Sequence, residues 1–325
     1  MTIIGLDLGG TKLAGGLFDE TGNLLERRIA PLDKRSGPEV GALVVNLIGD
    51  LRTEAGRRNI GIQAIGVSIP GIAHAASGRV WAPNIPGWED YPLREELAAL
   101  MRPSGGTVAI ESDRACSMMG ERWKGAAQGC QNAVFLAVGT GIGAGILVDG
   151  RIVRGSQDIA GATGWMALDR QFREEYVSCG CFEYHASGNG IAKVARAHIA
   201  AARGYRGPMA SILPDALTAR HVFEAYDQGD SLAVETLGGA IRAWGAATAN
   251  FVSLFNPELI IFGGGVFGPA GRFLEDIRRE ATKWAQPISM QSVRLEVSSL
   301  GSDAALYGAG FLALSNGRSI PSPEA

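Results

Sequence analysis

The sequence predicts an α/β protein of two lobes related by internal duplication. Three observations carry that prediction. The first is a repeat. Ile3 to Asp19 reads as an apolar strand, a turn at Gly9-Gly10-Thr11-Lys12 and a second apolar strand; Glu20-Thr21-Gly22-Asn23 then turns the chain into a third strand from Leu24. Ala133 to Val148 has the same layout around Gly139-Thr140-Gly141-Ile142-Gly143, followed by Asp149-Gly150 and Arg151-Ile152-Val153. The second is that helical and strand patterns alternate after each repeat, the mark of a largely parallel sheet. The third is length: 325 residues suit two domains at roughly 150 residues each.

The elements follow in order. Val40 to Arg57 carries apolar residues at helical spacing, and Ala64 to Ile69 is a strand that stops at Pro70-Gly71. Leu93 to Met101 reads as a helix, Thr107 to Glu111 as a strand, and a helix begins near Ala115. In the second half, Ser231 to Leu254 is a long alanine-rich helix that stops before Asn256-Pro257. Glu258 to Phe262 is a strand opening into Gly263-Gly264-Gly265, and helices are expected at Gly271 to Trp284 and Ser302 to Leu314. The lobes are expected at 1–113 and 114–301, with the C-terminal helix, about 302–325, packing back on the first lobe. The Ser- and Pro-rich end, 315–325, is expected to fray.

Composition narrows the function classes. A net charge of -3 gives no global attraction to nucleic acid or an acidic membrane surface. Four cysteines, Cys116, Cys130, Cys179 and Cys181, are too few for a disulfide scaffold, so a reduced, cytoplasmic setting is expected. The N-terminus enters a strand pattern at once, with no basic and apolar regions of a signal peptide. The longest apolar stretch, Ala133 to Val148, is too short and glycine-broken to span a bilayer. Neither a nucleic-acid nor a membrane partner is expected. Glycine is abundant, 46 of 325 residues, against a typical ~7%, which points to backbone packed closely on itself or on a ligand.

Chemistry-bearing residues gather at the turns. In Asp7-Leu8-Gly9-Gly10-Thr11-Lys12, glycines let backbone N–H groups face an anion, Thr11 adds a hydroxyl and Lys12 a charge. Asp7 could hold a hydrated Mg²⁺ bridging phosphates. The same pattern also serves a plain β-hairpin. Gly139, Thr140 and Gly141 have the same two readings, but the pair at equivalent places suggests two hairpins closing on one polyphosphate. Both turns join strand to strand, so neither is a Walker loop or a Rossmann fingerprint. Asp113, in Glu111-Ser112-Asp113, stands beyond a strand end, where α/β proteins bind ligands. It is either a general base for an attacking hydroxyl or, with Ser112, a helix cap. Gly263, Gly264 and Gly265 could admit a flat ring such as adenine or simply allow a tight crossing.

These segments, with Ser68-Ile69-Pro70-Gly71, Pro83-Asn84-Ile85-Pro86-Gly87-Trp88 and Cys181 to Gly188, come in the order of the ROK family of bacterial sugar kinases, which the chain resembles over about residues 3 to 314. The resemblance implies the actin/hexokinase-like (ribonuclease H-like) duplicated fold, two α/β lobes with a cleft between them. It also implies ATP, Mg²⁺ and phosphoryl transfer to a hexose or amino-hexose hydroxyl, a small-molecule sugar as substrate and a homodimer. By that likeness Asp113 is the base, and Gly71, Asn84, Ser112 and Glu183 line the sugar pocket. The chain starts directly at the first phosphate strand, so a repressor with an added DNA-binding domain is not expected.

The departures from the family pattern cluster. Glu-Ile-Gly-His is replaced by Ala162-Thr163-Gly164-Trp165, which removes a sugar acceptor and a zinc ligand. Two cysteine positions of the family's zinc loop fall on Glu174 and Tyr176, leaving Cys181 alone of the four ligands. A tetrahedral site needs four, so no family-type zinc is expected. Cys179, Cys181 and His185 remain as an improvised ligand set of unusual spacing. Ser112 replaces an asparagine, and Arg114 follows the base. The sugar wall therefore reads as rebuilt, with Trp165 either offering an apolar face to substrate or filling the space left by zinc. The alternative to a kinase is a catalytically silent sugar or nucleotide sensor on the same fold.

Overall fold

The computed structural model describes residues 2–315. The chain divides into two compact units, one of residues 2–131, 145–160 and 298–315, the other of 132–144 and 161–297. The segments 114–131 and 145–160, expected in the second lobe, thus group with the first. Of the expected C-terminal helix, residues 316–325 lie outside the described residues.

The first sheet is built from β1 (Thr2–Leu8), β2 (Lys12–Asp19) and β3 (Leu24–Pro31), then, after helix α1 (Gly37–Arg57), β4 (Ile62–Ile69). A short hairpin, β5 (Ile72–Ala73) and β6 (Val80–Trp81), and helix α2 (Leu93–Met101) precede the last strand, β7 (Thr107–Ser112), and helix α3 (Asp113–Lys124). The order is β3-β2-β1-β4-β7. β1 and β2 pair antiparallel from Thr2↔Asp19 to Leu8↔Leu13, whereas β1–β4 and β4–β7 are parallel.

The second sheet repeats this plan: β8 (Ala133–Val138), β9 (Ile142–Val148), β10 (Arg151–Ile152), β11 (Leu259–Gly263) and β12 (Arg294–Val297) lie in the order β10-β9-β8-β11-β12. Between β10 and β11 come α4 (Cys181–Ala186), α5 (Gly188–Ala201), α6 (Ala219–Asp227) and α7 (Ser231–Phe255). α8 (Phe267–Ala270), α9 (Leu274–Thr282) and α10 (Pro287–Ser292) precede β12, and α11 (Ala304–Leu314) ends the described chain. Position by position, third, second and first strand followed by two parallel strands, the two sheets match. That is the duplication read from the turns.

Glycines explain why 298–315 belongs to the first unit. α11 is apolar nearly all round, as a helix buried on every side must be. It lies on the sheet where β1 and β4 have no side chain: a Cβ on Gly66 would fall 1.9 Å from Ala309 O, and one on Gly5 2.7 Å from Gly310 N. It meets α3 in the same way, since a Cβ on Gly308 would fall 1.7 Å from Cys116 O. The other face of the sheet buries Leu6, Leu8, Ile65 and Val67 against α1 and α2. Among the described residues no helix is long and apolar enough to cross a membrane.

Candidate functional site

In the first unit the β1–β2 turn is pinned by Gly9 N–H donating to Lys12 O at 2.9 Å. A Cβ on Gly10 would meet nothing closer than Asn84 Cβ at 3.9 Å, so the turn is open and Asn84 stands beside it. The loop that carries Asn84 is anchored at Trp88, which stacks on Tyr91 with ring centroids 4.2 Å apart and donates from Nε1 to Gly37 O. Gly71 lies under the same loop; a Cβ there would fall 2.0 Å from Trp81 O. Thr11 and Lys12 are exposed.

Asp7 sits at the end of β1 and accepts a hydrogen bond from buried Ser68 Oγ at 2.9 Å. Burial pushes its carboxyl up to about 6, and the charge of Asp113 pushes the same way against Ser68 and Lys12. Asp113 is the first residue of α3, and its Oδ1 accepts the Arg114 N–H at 2.7 Å. Burial raises its carboxyl too, opposed chiefly by the Arg114 charge. Ser112 occupies the helix cap without a side-chain cap hydrogen bond, so capping does not account for its hydroxyl. Glu111, whose role the sequence did not reveal, is buried. Its Oε1 accepts Ser112 N–H at 2.8 Å and its Oε2 is 2.6 Å from Arg154 Nε. The strand-to-helix turn that carries Asp113 is therefore held by an ion pair between a buried carboxylate and a partly exposed arginine.

In the second unit, Gly139 N–H donates to Gly141 O at 2.9 Å, and Gly139 O accepts Gly188 N–H at 2.7 Å. α5 begins at this contact, capped by Ser187 Oγ accepting from Gly190 N–H at 2.9 Å. Gly139, Thr140 and Gly265 line one cavity of about 1050 Å³ with Asn189, Lys193, Arg196 and Phe223. A Cβ on Gly139 or Gly265 would meet nothing within 4 Å; this is an open cradle. Gly263 and Gly264 do other work. Gly263 packs on the Phe135 ring, and Gly264, at φ +84°, would place a Cβ 2.4 Å from Val138 O. Lys193, Arg196 and Phe223 lie on α5 and α6, whose sequence pattern gives no motif.

Glu183, expected against sugar, lies under the glycine turn: its Oε2 accepts Ile142 N–H at 2.7 Å. Burial raises this carboxyl, opposed by that N–H and by Lys193. A Cβ on Gly141 would fall 2.6 Å from Glu183 Oε2, and one on Gly164 3.0 Å from its Cβ. Glu183 thus braces both the turn and the short 3₁₀ turn Thr163–Trp165. Trp165 is 59% exposed, so its ring fills no core. In the remnant of the cysteine loop, Tyr176 OH lies 2.7 Å from His185 Nε2 and 3.0 Å from Asp169 Oδ2. Cys181 is buried and Cys179 half-buried. Among the described residues no cluster of three or more His, Cys, Asp or Glu side chains could hold a metal. Hydrogen bonds through Tyr176 hold the loop together.

Residues 3–316 match the ROK family. The chain belongs to it. A glucokinase of Halalkalibacterium halodurans is 30% identical over 95% of this chain and 94% of its own length. A ROK hexokinase structure from Thermus thermophilus matches with a TM-score of 0.78 and 31% identity, covering 97% of this chain and 99% of that one. A ROK glucokinase from Streptomyces griseus in complex with glucose and AMPPNP matches at 0.75 and 27%, covering 96% and 99%. The α/β fold is of the two-lobed actin/hexokinase-like class, as the duplicated sheets lead one to expect.

A nucleotide fits the second unit of this ROK chain on its geometry. The cavity lined by Gly139 and Gly265, about 1050 Å³, has room for a nucleotide. Asp7, raised by burial and by a second carboxylate, is a group that a bound cation would relieve.

Proposed function

We infer that this chain transfers the γ-phosphoryl group of ATP to a hydroxyl of a hexose or amino-hexose. It is an ATP-dependent carbohydrate kinase of the ROK family. The observation that carries the residue assignment is the pair Asp7 and Asp113: two carboxylates of one unit, each pushed up by burial, one at a glycine turn and the other at a strand end. A base is most effective when its affinity for protons approaches the working pH, and burial moves Asp113 in that direction.

In this reading the cavity of the second unit takes the nucleoside and the turn Gly139-Thr140-Gly141 of that unit takes phosphate; in the first unit the turn Gly9-Gly10-Thr11-Lys12 is itself a phosphate turn. The acceptor hydroxyl donates to Asp113. As its oxygen bonds to the γ-phosphorus, the proton moves to the Asp113 carboxylate and the bond to the β–γ bridging oxygen breaks, leaving ADP. In each unit the turn's backbone N–H groups and its threonine, Thr11 or Thr140, with Lys12 in the first unit, would offset phosphate charge. Mg²⁺, held through Asp7, would neutralise phosphate charge when bound with the nucleotide. Asn84, Gly71 and Ser112 line the sugar side.

The chain differs from the family pattern at Ala162 and Trp165 in the second unit and at Ser112 in the first. The exposed Trp165 ring supports a role against substrate, because an indole left in water offers a flat apolar face to a sugar ring or its substituent. A panel of hexoses, amino sugars and anomerically substituted sugars with labelled ATP tests both parts. Transfer to a sugar carries the kinase reading, and glucose as the best substrate would remove the altered pocket. No transfer to any sugar, with nucleotide still bound, would favour the silent sensor.

A further inference from the structure

We propose that the first unit carries a second binding site, for a small organic oxyanion, in the cavity at the outer edge of β7. β7 ends its sheet, and a cavity of about 330 Å³ lies against it. That size is at the lower limit of small-ligand pockets and about a third of the nucleotide cavity, so it suits a body of a few carbons rather than a nucleoside.

Two arginines face this space, each already fixed in place. Glu111, 6% exposed, binds Arg154 through Nε alone, at 2.6 Å. The terminal amino groups of Arg154 form no hydrogen bond among the described residues, and its side chain is 38% exposed. A guanidinium anchored on one edge by a buried carboxylate presents its other edge to the cavity, and that edge matches two oxygens of a carboxylate or phosphate. Arg94 is oriented by Ala75 O and Ala76 O, at 3.1 and 3.4 Å. It passes over Gly78, where a Cβ would fall 2.1 Å from its Nε, so glycine is required for this path. Asp158 is the nearby carboxylate. It accepts the Ala75 N–H at 3.1 Å and is not part of the lining.

The rest of the wall suits the carbon part of the ligand. Ala73, Val108, Ile110 and Leu312 are apolar, and the His74 ring adds one further polar edge. Two arginines set against one lining carboxylate leave a net positive charge, so the site takes an anion. The class is a phosphate monoester or a carboxylate of sugar size or smaller. Because Glu111 also accepts the Ser112 N–H, an anion drawing on Arg154 acts on the turn that bears Asp113.

Calorimetric titration of the full chain with inorganic phosphate, glucose 6-phosphate and pyruvate, with and without AMPPNP, tests the proposal. One-to-one binding of at least one probe is expected. Arg94→Ala and Arg154→Ala should each weaken it on the order of 10-fold, the loss of a charge-assisted hydrogen bond, while Thr140→Ala leaves it unchanged. Arg154→Ala strands a buried carboxylate, so Arg94→Ala, which breaks no ion pair, is the deciding variant. Preference for glucose 6-phosphate assigns the phosphate class, preference for pyruvate the carboxylate. No binding in the millimolar range, or binding lost in Thr140→Ala and kept in Arg94→Ala, overturns the site. Failure to bind AMPPNP would count against the kinase reading alone.

Discussion

Replacing Asp7 by asparagine should make the ligand-free protein more stable, and more so at high pH than at low. The Asp7 carboxyl is raised from 3.8 to about 6. A raised acid costs nothing below its ordinary value; the cost grows as pH climbs between the two values and is constant above the folded one. A shift of roughly 2 units at 1.36 kcal/mol each is about 3 kcal/mol at pH 8. At pH 5 the same two values leave about half of that. Asparagine keeps an Oδ1 for the Ser68 hydroxyl, which lies 2.9 Å away, and removes the charge. Thermal unfolding of both proteins at pH 5 and pH 8 without nucleotide measures the difference. The variant should melt higher at both, with the wider gap at pH 8, while Mg²⁺ and ATP should stabilise the wild type more than the variant. An Asp7→Asn protein less stable than wild type at pH 8, or a gap that does not move with pH, would refute the reasoning. A stability cost at this position is what a charge kept for ligand binding entails.

Further outcomes follow from contacts already described. Gly66→Ala puts a methyl group 1.9 Å from Ala309 O; urea unfolding should show a loss of about 1–3 kcal/mol or more as α11 is displaced, and unchanged stability would contradict the packing. Tyr176→Phe removes the hydroxyl between His185 and Asp169 and should cost about 1 kcal/mol, with elemental analysis of the wild type finding no stoichiometric zinc. Trp165→Ala should raise the KM for sugar roughly 5- to 10-fold and leave that for ATP unchanged, as loss of a ring contact of about 1 kcal/mol would; equal effects on both would place the ring elsewhere.

The sequence revealed the paired hairpins because a glycine turn between two apolar runs is a local signal. Gly9-Gly10 and Gly139-Thr140-Gly141 are adjacent in the chain and need no partner to be read. The division into units was not local. α11 joins the first unit through contacts between residues such as Gly308 and Cys116, far apart in sequence and legible only as an excess of glycine. Glu111 and Arg154, 43 residues apart, look like an ordinary strand end and an ordinary loop until the fold pairs them. Glu183 shows the converse. Its place in a motif suggests a ligand contact, and its observed hydrogen bond goes to the turn. Ser112 was legible as a helix cap by type, yet its hydroxyl caps nothing.

In the proposed reaction Asp113 takes the proton of a sugar hydroxyl as ATP gives up its γ-phosphoryl group. Single-turnover transfer from labelled ATP to the best sugar of the panel, compared between wild type and Asp113→Asn, tests it most directly. A loss of about 10²–10⁴-fold in transfer is expected, with nucleotide affinity nearly unchanged. Transfer by Asp113→Asn within a few-fold of wild type would contradict it.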